Sequence, residues 1–217
     1  MRELYHHQLE SIVADLVTMT RTVRTATHRA TEALLTADAA EAEQVIADDA
    51  DVDRAREEIE ERSFELLALQ QPVASDLLML VAALRMVAHL ERMGDLAVHV
   101  AKVTRLRYPD RAVPPEIEPT IQSMAQAAVR MVDAAADVIA NRDVEAARAL
   151  ESEDEEMDRL RRSIFTQLLS DRWQAGIEPA IDAALLGRYY ERIADHAVSM
   201  GRRVVYLVTG ERSVPTS

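Results

Sequence analysis

Residues 38–70 read DAAEAEQVIADDADVDRAREEIEERSFELLALQ and contain neither Gly nor Pro. Within this stretch, apolar residues recur at every seventh position, at Val45, Val52, Ile59 and Leu66. Such spacing places the apolar side chains on one stripe of a helix, and Ala, Glu, Leu and Arg, which fill most other positions, have high helix propensities. The stretch therefore predicts a long amphipathic helix that packs one face against a core.

The same periodicity extends over the rest of the chain, and Gly and Pro interrupt it at only a few places. No Gly or Pro occurs before Pro72, and the later breaks cluster at 109–119, 176–179 and 210–215. No stretch alternates apolar and polar residues as a half-buried strand does. We therefore predict an all-α protein of six helices, near residues 3–36, 38–70, 73–108, 115–141, 143–173 and 177–208.

The chain also repeats itself. Asp38, which can cap the second helix, has a counterpart 105 residues later in Asp143, and Met19 has one in Met124 at the same offset. In the third helix of each half the offset is 100, because ERMGD at 91–95 aligns with ERIAD at 191–195. A repeat of about 100 residues indicates a duplicated domain rather than a solenoid. The prediction is two tandem, internally duplicated three-helix bundles, with domains at 1–110 and 115–210.

Acidic residues recur at matching positions in both halves. Each half has an Asp-x-x-x-Asp pair on its second helix and a Glu-x-x-x-Asp pair on its third, and residues four apart share a helical face. Because successive helices of an antiparallel bundle are adjacent, each half can bring four carboxylates together. These candidate site residues are Asp49, Asp53, Glu91, Asp95, Asp154, Asp158, Glu191 and Asp195.

Four neighbouring carboxylates raise one another's pKa and need a positive partner to stay ionised. One possibility is arginine, with Arg92 and Arg192 as the first candidates. A second is a hard cation, since oxygen ligands suit Mg²⁺, Mn²⁺, Ca²⁺ or iron. A third is that the acids are part of a solvated helix face. The recurrence of all four acids in both halves favours the metal interpretation.

Composition excludes several classes of protein. The chain has 25 Lys and Arg against 38 Asp and Glu, a net charge of −13, which argues against nucleic acid as a partner. It has no Cys, so it has no disulfide, thiol nucleophile or zinc–thiolate site. Leu77–Leu84, the longest apolar run, is too short to span a membrane, and the first residues include no apolar signal-peptide segment. We expect a cytoplasmic protein with no direct membrane insertion.

Catalytic signatures are scarce. Di-iron oxidases use a Glu-x-x-His motif on two helices, but this sequence has one, from Glu3 to His6. It also has no Gly-rich phosphate loop and no Gly-x-Ser-x-Gly motif. We therefore predict that the protein is not an enzyme. The alternative is a carboxylate-bound metal enzyme that acts on phosphorylated substrates.

The doubled motif, together with the ending VYLVTG at 205–210, resembles the PhoU family of phosphate-uptake regulators. The resemblance implies a cytoplasmic homodimer, placed at the inner face of the membrane through its partners, with one metal cluster in each bundle. The metal ligands would be the eight acids above, and the metal would be iron, zinc, manganese or magnesium. The implied partners are a sensor histidine kinase and the ATPase subunit of the phosphate ABC transporter, and the implied function is repression of the phosphate-starvation response. Leu96, His99 and Ser199 depart from the His and Asn that the family often has there.

Overall fold

The computed structural model describes residues 2–70, 72 and 75–211, and this part of the chain contains helices and no strand. It confirms the all-α prediction with six helices. The start predicted near residue 73 for the third helix lies outside the described residues. The helices are α1 Arg2–Thr36, α2 Ala39–Gln70, α3 Ser75–Arg107, α4 Glu118–Asn141, α5 Val144–Leu168 and α6 Ile177–Thr209.

The two predicted Asp caps separate helices in the same way in both halves. Asp38 Oδ1 accepts hydrogen bonds from the N–H groups of Ala40 and Glu41, each at 3.0 Å. Asp143 Oδ1 accepts one from the Ala146 N–H, also at 3.0 Å. These bonds satisfy N–H groups that a helix start otherwise leaves unpaired. The caps explain how a stretch without Gly or Pro is divided into two helices.

The fifth helix ends earlier than predicted, at Leu168 instead of residue 173. Leu169 leaves the helical conformation, with φ −90° and ψ 0°. The hydroxyl of Ser170 then donates to the Gln167 carbonyl at 2.8 Å, and the Trp173 indole N–H donates to the Gly176 carbonyl at 2.8 Å. These bonds fold residues 169–176 into turns, because Ser and Gly stabilise a local alternative to the helix.

Each half is a bundle of three helices, and the two halves share a core. Helix α1 packs against α4, and α3 packs against α6. The α3–α6 pair is antiparallel, since His89 contacts His196 whereas His99, further along α3, stacks on Tyr189. The buried apolar side chains of both halves form one continuous cluster. The duplication therefore folds the chain around one core with the two halves facing each other.

Candidate metal centres

The first carboxylate cluster lies between α2 and α3 and contains Asp49, Asp53, Glu91 and Asp95. Asp49 and Glu91 are half-buried, whereas Asp53 and Asp95 are exposed. Gly94 allows the two helices to approach here: a Cβ on Gly94 would lie 3.0 Å from Asp49 Oδ1 and 3.2 Å from Val52 Cγ1. The absence of a side chain at 94 thus places the Asp49 carboxylate directly against α3.

The acids of the first cluster are close enough to repel one another. Burial is the largest cause that raises the pKa of Asp49 to about 6, and the charges of the other three acids add to it. Burial and the charge of Asp95 also raise the pKa of Glu91, which the charge of Arg56 partly opposes. The charges of all three other acids therefore act on Asp49, and the predicted site of four acids stays a prediction.

The second cluster lies between α5 and α6 and contains Asp154, Asp158, Glu191 and Asp195. The pKa of Asp195 is raised to about 6, first by burial and then by the charges of the other three acids. The pKa of Asp154 is also raised, first by burial and then by the charge of Asp158. In both halves the charges of three acids therefore act on the fourth.

The clusters differ in how their Glu is neutralised. Glu191 is 8% exposed and accepts a hydrogen bond from Arg161 Nη1 on Oε1 at 3.0 Å, while Arg188 Nη1 donates to its other oxygen. Glu91 forms no ion pair within the part of the chain that the structure describes. The arginines that bind Glu191 are thus Arg161 and Arg188, not Arg192, the candidate named for the arginine alternative.

The two arginines could have been found in the sequence. Arg161 is the counterpart of Arg56 at the offset of 105, and Arg188 precedes Glu191 by three residues, a spacing that brings helical side chains together. The counterpart of Arg188 in the first half is Ala88. Arg56 itself lies 3.9 Å from Asp53 and faces two further glutamates of α2. The second half therefore has an extra cation that the first half lacks.

The donor chemistry of both clusters fits a hard cation, because every candidate ligand is a carboxylate and their charges repel. The side chains are nevertheless spread out. Among the described residues, no group of three or more His, Asp or Glu side chains is arranged to hold one ion. The eight acids therefore remain a prediction as metal ligands, and four of them, Asp53, Asp95, Asp158 and Asp195, are exposed.

Comparison with known families identifies the kind of helical bundle. The model of the PhoU domain matches residues 16–104 and again residues 121–204, one segment in each half of the repeat. The chain belongs to the PhoU family. These matches confirm, over most of the chain, the resemblance that the sequence motifs indicated.

Relatives and solved structures agree with this assignment. The chain is 43% identical to the phosphate-specific transport system accessory protein PhoU homolog 1 of Mycobacterium bovis, over 97% of this chain and 95% of the relative. It is 44% identical to PhoU homolog 2 of the same organism, over 97% and 99%. The crystal structure of PhoU from Pseudomonas aeruginosa superimposes with a TM-score of 0.87 at 28% identity, covering 95% of this chain and 100% of that chain. The phosphate transport system regulatory protein PhoU of Streptococcus pneumoniae shares the fold, with a TM-score of 0.86 at 23% identity, over 97% and 99% of the two chains.

No helix within the described ranges is long and apolar enough to cross a bilayer.

Proposed function

We propose that this PhoU-family chain is an accessory regulator of a phosphate transport system. The observation that carries the proposal is the match over nearly the whole chain, at 43–44% identity, to two proteins named as accessory proteins of phosphate-specific transport. A match over 97% of the chain spans both bundles, so it concerns the whole architecture rather than one shared motif.

The regulator acts through protein contacts in the cytoplasm, at the inner face of the membrane. Its partners are the ATPase subunit of a phosphate ABC transporter and a sensor histidine kinase, and the complex keeps the phosphate-starvation response off when phosphate is abundant. The names of the relatives support the link to the transporter. The family resemblance supports the kinase as a partner and the repression of the phosphate-starvation response. The protein works as a homodimer, which light scattering of the purified chain measures directly.

The two carboxylate clusters bind metal cations, which is the second part of the proposal. The raised pKa values of Asp49 and Asp195 support it, because a bound cation relieves the repulsion that produces them. Iron, zinc, manganese and magnesium are the candidates. When bound, the cation joins α2 to α3 or α5 to α6, a structural role that stabilises each bundle.

The chain performs no catalysis of its own. This part of the proposal is supported by relatives that are named as accessory and regulatory proteins. It is tested with purified, metal-loaded protein and phosphorylated substrates. Turnover that disappears in both Glu91→Ala and Glu191→Ala would contradict it and favour a metal enzyme instead.

Gene deletion tests the regulatory function. Because Mycobacterium bovis has two PhoU homologs, every copy has to be removed from the test strain. We expect phosphate-uptake genes to be expressed in phosphate-rich medium after deletion, and the wild-type chain to restore repression. Low expression in a strain that has no PhoU copy would contradict the proposal. The Asp49→Asn/Asp154→Asn double variant, introduced into the same strain, tests whether repression requires the carboxylate clusters.

A further inference from the structure

An apolar cavity lies at one end of the shared core. Helices α1 and α6 each contact both α3 and α4, so these four helices form the core, with α2 and α5 packed outside it. The cavity has a volume of about 310 Å³ and lies where α3 begins and where α4 and α6 end. We call it the α6-end cavity, and the apolar side chains that line it include Val13, Leu16, Met79, Ala83, Ile139 and Leu207. Water finds few polar partners among such side chains, so an apolar occupant is favoured.

The opposite end of the same core is covered by the linker between the two halves. This linker runs from the end of α3 to the start of α4, two helices that make no contact with each other in the described chain, so it crosses the end of the core diagonally. Ala112 and Val113 of the linker are 4% and 2% exposed and belong to the core cluster. Arg111 holds the linker in place, because it donates hydrogen bonds to the Leu35 carbonyl near the end of α1 and to Glu118 at the start of α4.

The sequence that follows α6 repeats the sequence of this linker. Residues 110–114 read DRAVP and residues 211–215 read ERSVP, at an offset of 101. Arg, Val and Pro are identical in the two segments, and the other two positions exchange Asp for Glu and Ala for Ser, which keeps the charge and the small size. The offset differs by one residue from that of the preceding helices, so the repeat extends beyond them. Val214 is therefore the counterpart of the buried Val113.

The chain leaves α6 at a position from which Val214 can reach the cavity. Gly210 ends α6 in the left-handed conformation, with φ 74°. Glu211 is then held by Arg148 of α5, whose Nη2 atom donates to Glu211 Oε2 at 3.2 Å. Val214 follows three residues later, and three extended residues span about 10 Å. Because Val208, two residues before Gly210, lines the α6-end cavity, the cavity lies within this reach.

We propose that residues 212–215, which lie outside the described part of the structure, dock on the α6-end cavity and insert the side chain of Val214 into it. A valine side chain gains free energy when it leaves water for an apolar site. Arg212 has an equivalent acceptor, since the Ala140 carbonyl near the end of α4 is the counterpart, at the offset of 105, of the Leu35 carbonyl that Arg111 binds. Both ends of the core are then closed by segments of the same sequence pattern. The proposal goes beyond the role in phosphate transport and involves none of the eight acids.

Methyl nuclear magnetic resonance of the full chain tests the proposal. Met79 and Met86 line the cavity, whereas Met157 of α5 is buried elsewhere in the core. In the wild-type chain we expect nuclear Overhauser effects between the methyl groups of Val214 and the methyl group of Met79. The absence of any such effect between Val214 and the methyl groups of the cavity would overturn the proposal. This measurement uses wild-type protein, so it does not depend on whether a variant folds.

Two variants locate the docked residue. Val214→Asp should undock the segment, because an unpaired carboxylate is costly to bury. We expect it to shift the methyl signals of Met79 and Met86 and to leave that of Met157 in place. Thr216→Asp is the matched control, since it adds the same charge two residues beyond Val214, and its signals should stay at the wild-type positions. Circular dichroism verifies the helical content of both variants. Signals of Met79 and Met86 that are the same in Val214→Asp and in wild type would contradict the proposal.

Introduced cysteines identify the occupant of the cavity, because the chain has no Cys of its own. Docking brings the Cα atoms of residues 214 and 79 within about 7 Å, so Val214→Cys/Met79→Cys should form an intrachain disulfide under mild oxidation. Val214→Cys/Ala149→Cys is the matched control, since Ala149 is exposed and follows Arg148, to which Glu211 is bound. We expect the first pair to react about tenfold faster than the control pair.

Three outcomes of the crosslinking experiment would overturn the proposal. The first is a disulfide that forms no faster with residue 79 than with residue 149, as for a segment that is tethered at Glu211 but not docked. The second is a disulfide between two chains, which would mean that a second copy supplies the segment. The third is a small apolar molecule that mass spectrometry finds bound to the wild-type chain and that NMR places in the cavity.

Discussion

The two carboxylate clusters have the same four acids but different surroundings. In the first, Glu91 has no arginine bound to it among the described residues, and Gly94 allows Asp49 to lie against α3. In the second, Glu191 is held by Arg161 and Arg188, and Ala194 occupies the position equivalent to Gly94. Duplication has therefore kept the acids and changed the charge that balances them. The first cluster depends more on an external cation than the second.

The glycines at which the helices pack closely also differ in position between the two halves. In the first half the close contact lies at the cluster, at Gly94. In the second half two glycines of α6 lie against α5, one before and one after the acids of α6: a Cβ on Gly187 would be 2.9 Å from Ile164 Cδ1, and one on Gly201 would be 3.0 Å from Leu150 Cδ1 and 3.2 Å from the Ala147 carbonyl oxygen. Because glycine permits a close approach, the tight contact of α2 with α3 at Gly94 lies at the acids themselves. Helices α5 and α6 are instead tightly packed beside the acids, where a cation contributes less to holding them together.

The largest expected effect is an unequal loss of metal binding. Titration calorimetry with Mn²⁺ on metal-free protein should detect a tighter site in the first half and a weaker one in the second. Asp49→Asn should weaken the tighter site by about 100-fold or more, since even outer-shell changes cost roughly 10–100-fold. Asp154→Asn is the matched variant and should affect only the weaker site. Equal losses in the two variants would remove the distinction between the halves.

Exchanging the arginine that differs between the halves should move affinity from one cluster to the other. Arg188→Ala removes a cation that competes for Glu191, and we expect Mn²⁺ binding at the second cluster to strengthen about tenfold. The reciprocal change, Ala88→Arg, should weaken the first cluster by a similar factor. Arg172→Ala serves as the control, and calorimetry measures all three. If Arg188→Ala weakens binding, the arginine supports the site instead of competing for it.

The pH dependence of stability should be alike in the two halves, because Asp49 and Asp195 both have a pKa raised to about 6. A raised carboxyl pKa means that the folded state holds the proton more tightly, so its stabilisation is present at low pH and is lost as pH rises through about 6. In metal-free protein, Asp49→Asn should remove this loss and raise the free energy of unfolding at pH 7.5 by about 1 kcal/mol, after discounting for the partial exposure of the carboxylate.

Urea unfolding at pH 5 and pH 7.5 measures that difference, with Asp195→Asn as the matched variant. The lowered pKa values of His89 and His196 act in the opposite direction, since buried neutral histidines destabilise the fold as pH falls from about 6.5 toward 4. Their contribution is common to wild type and variants and therefore cancels in the comparison. No difference between wild type and Asp49→Asn at either pH would mean that the acids do not repel one another in solution.

Periodicity, capping residues and the internal offset were enough to predict the helices and the duplication, because each is a local property of the chain. The end of α5 was missed because the turn at 169–176 depends on side-chain bonds of Ser170 and Trp173 that compete with a helical pattern. That the two halves share one core also depends on the packing of α1 on α4 and of α3 on α6, which the spacing of apolar residues does not specify.

For the candidate sites, spacing predicts that the four acids of each half converge, which stays a prediction, and the charges of the other three acids do act on Asp49 and on Asp195. Spacing did not predict which positive groups reach them, since arginine side chains are long and several positions compete for one carboxylate. Arg192 was the candidate partner of Glu191 in the arginine alternative, whereas Arg161 and Arg188 bind it. The His89–His196 contact was not foreseen either, because the two residues are on different halves and their positions are not equivalent in the repeat.

The smallest expected difference between the halves concerns the caps of α2 and α5. Asp38 accepts hydrogen bonds from two backbone N–H groups and Asp143 from one. Loss of a helix cap typically costs about 1 kcal/mol, and we expect Asp38→Ala to lower the free energy of unfolding by about 0.5 kcal/mol more than Asp143→Ala. Urea unfolding of the two variants in the same buffer gives the difference. Because both caps are exposed, a reversed order would mean that the start of α5, rather than that of α2, limits the stability of the fold.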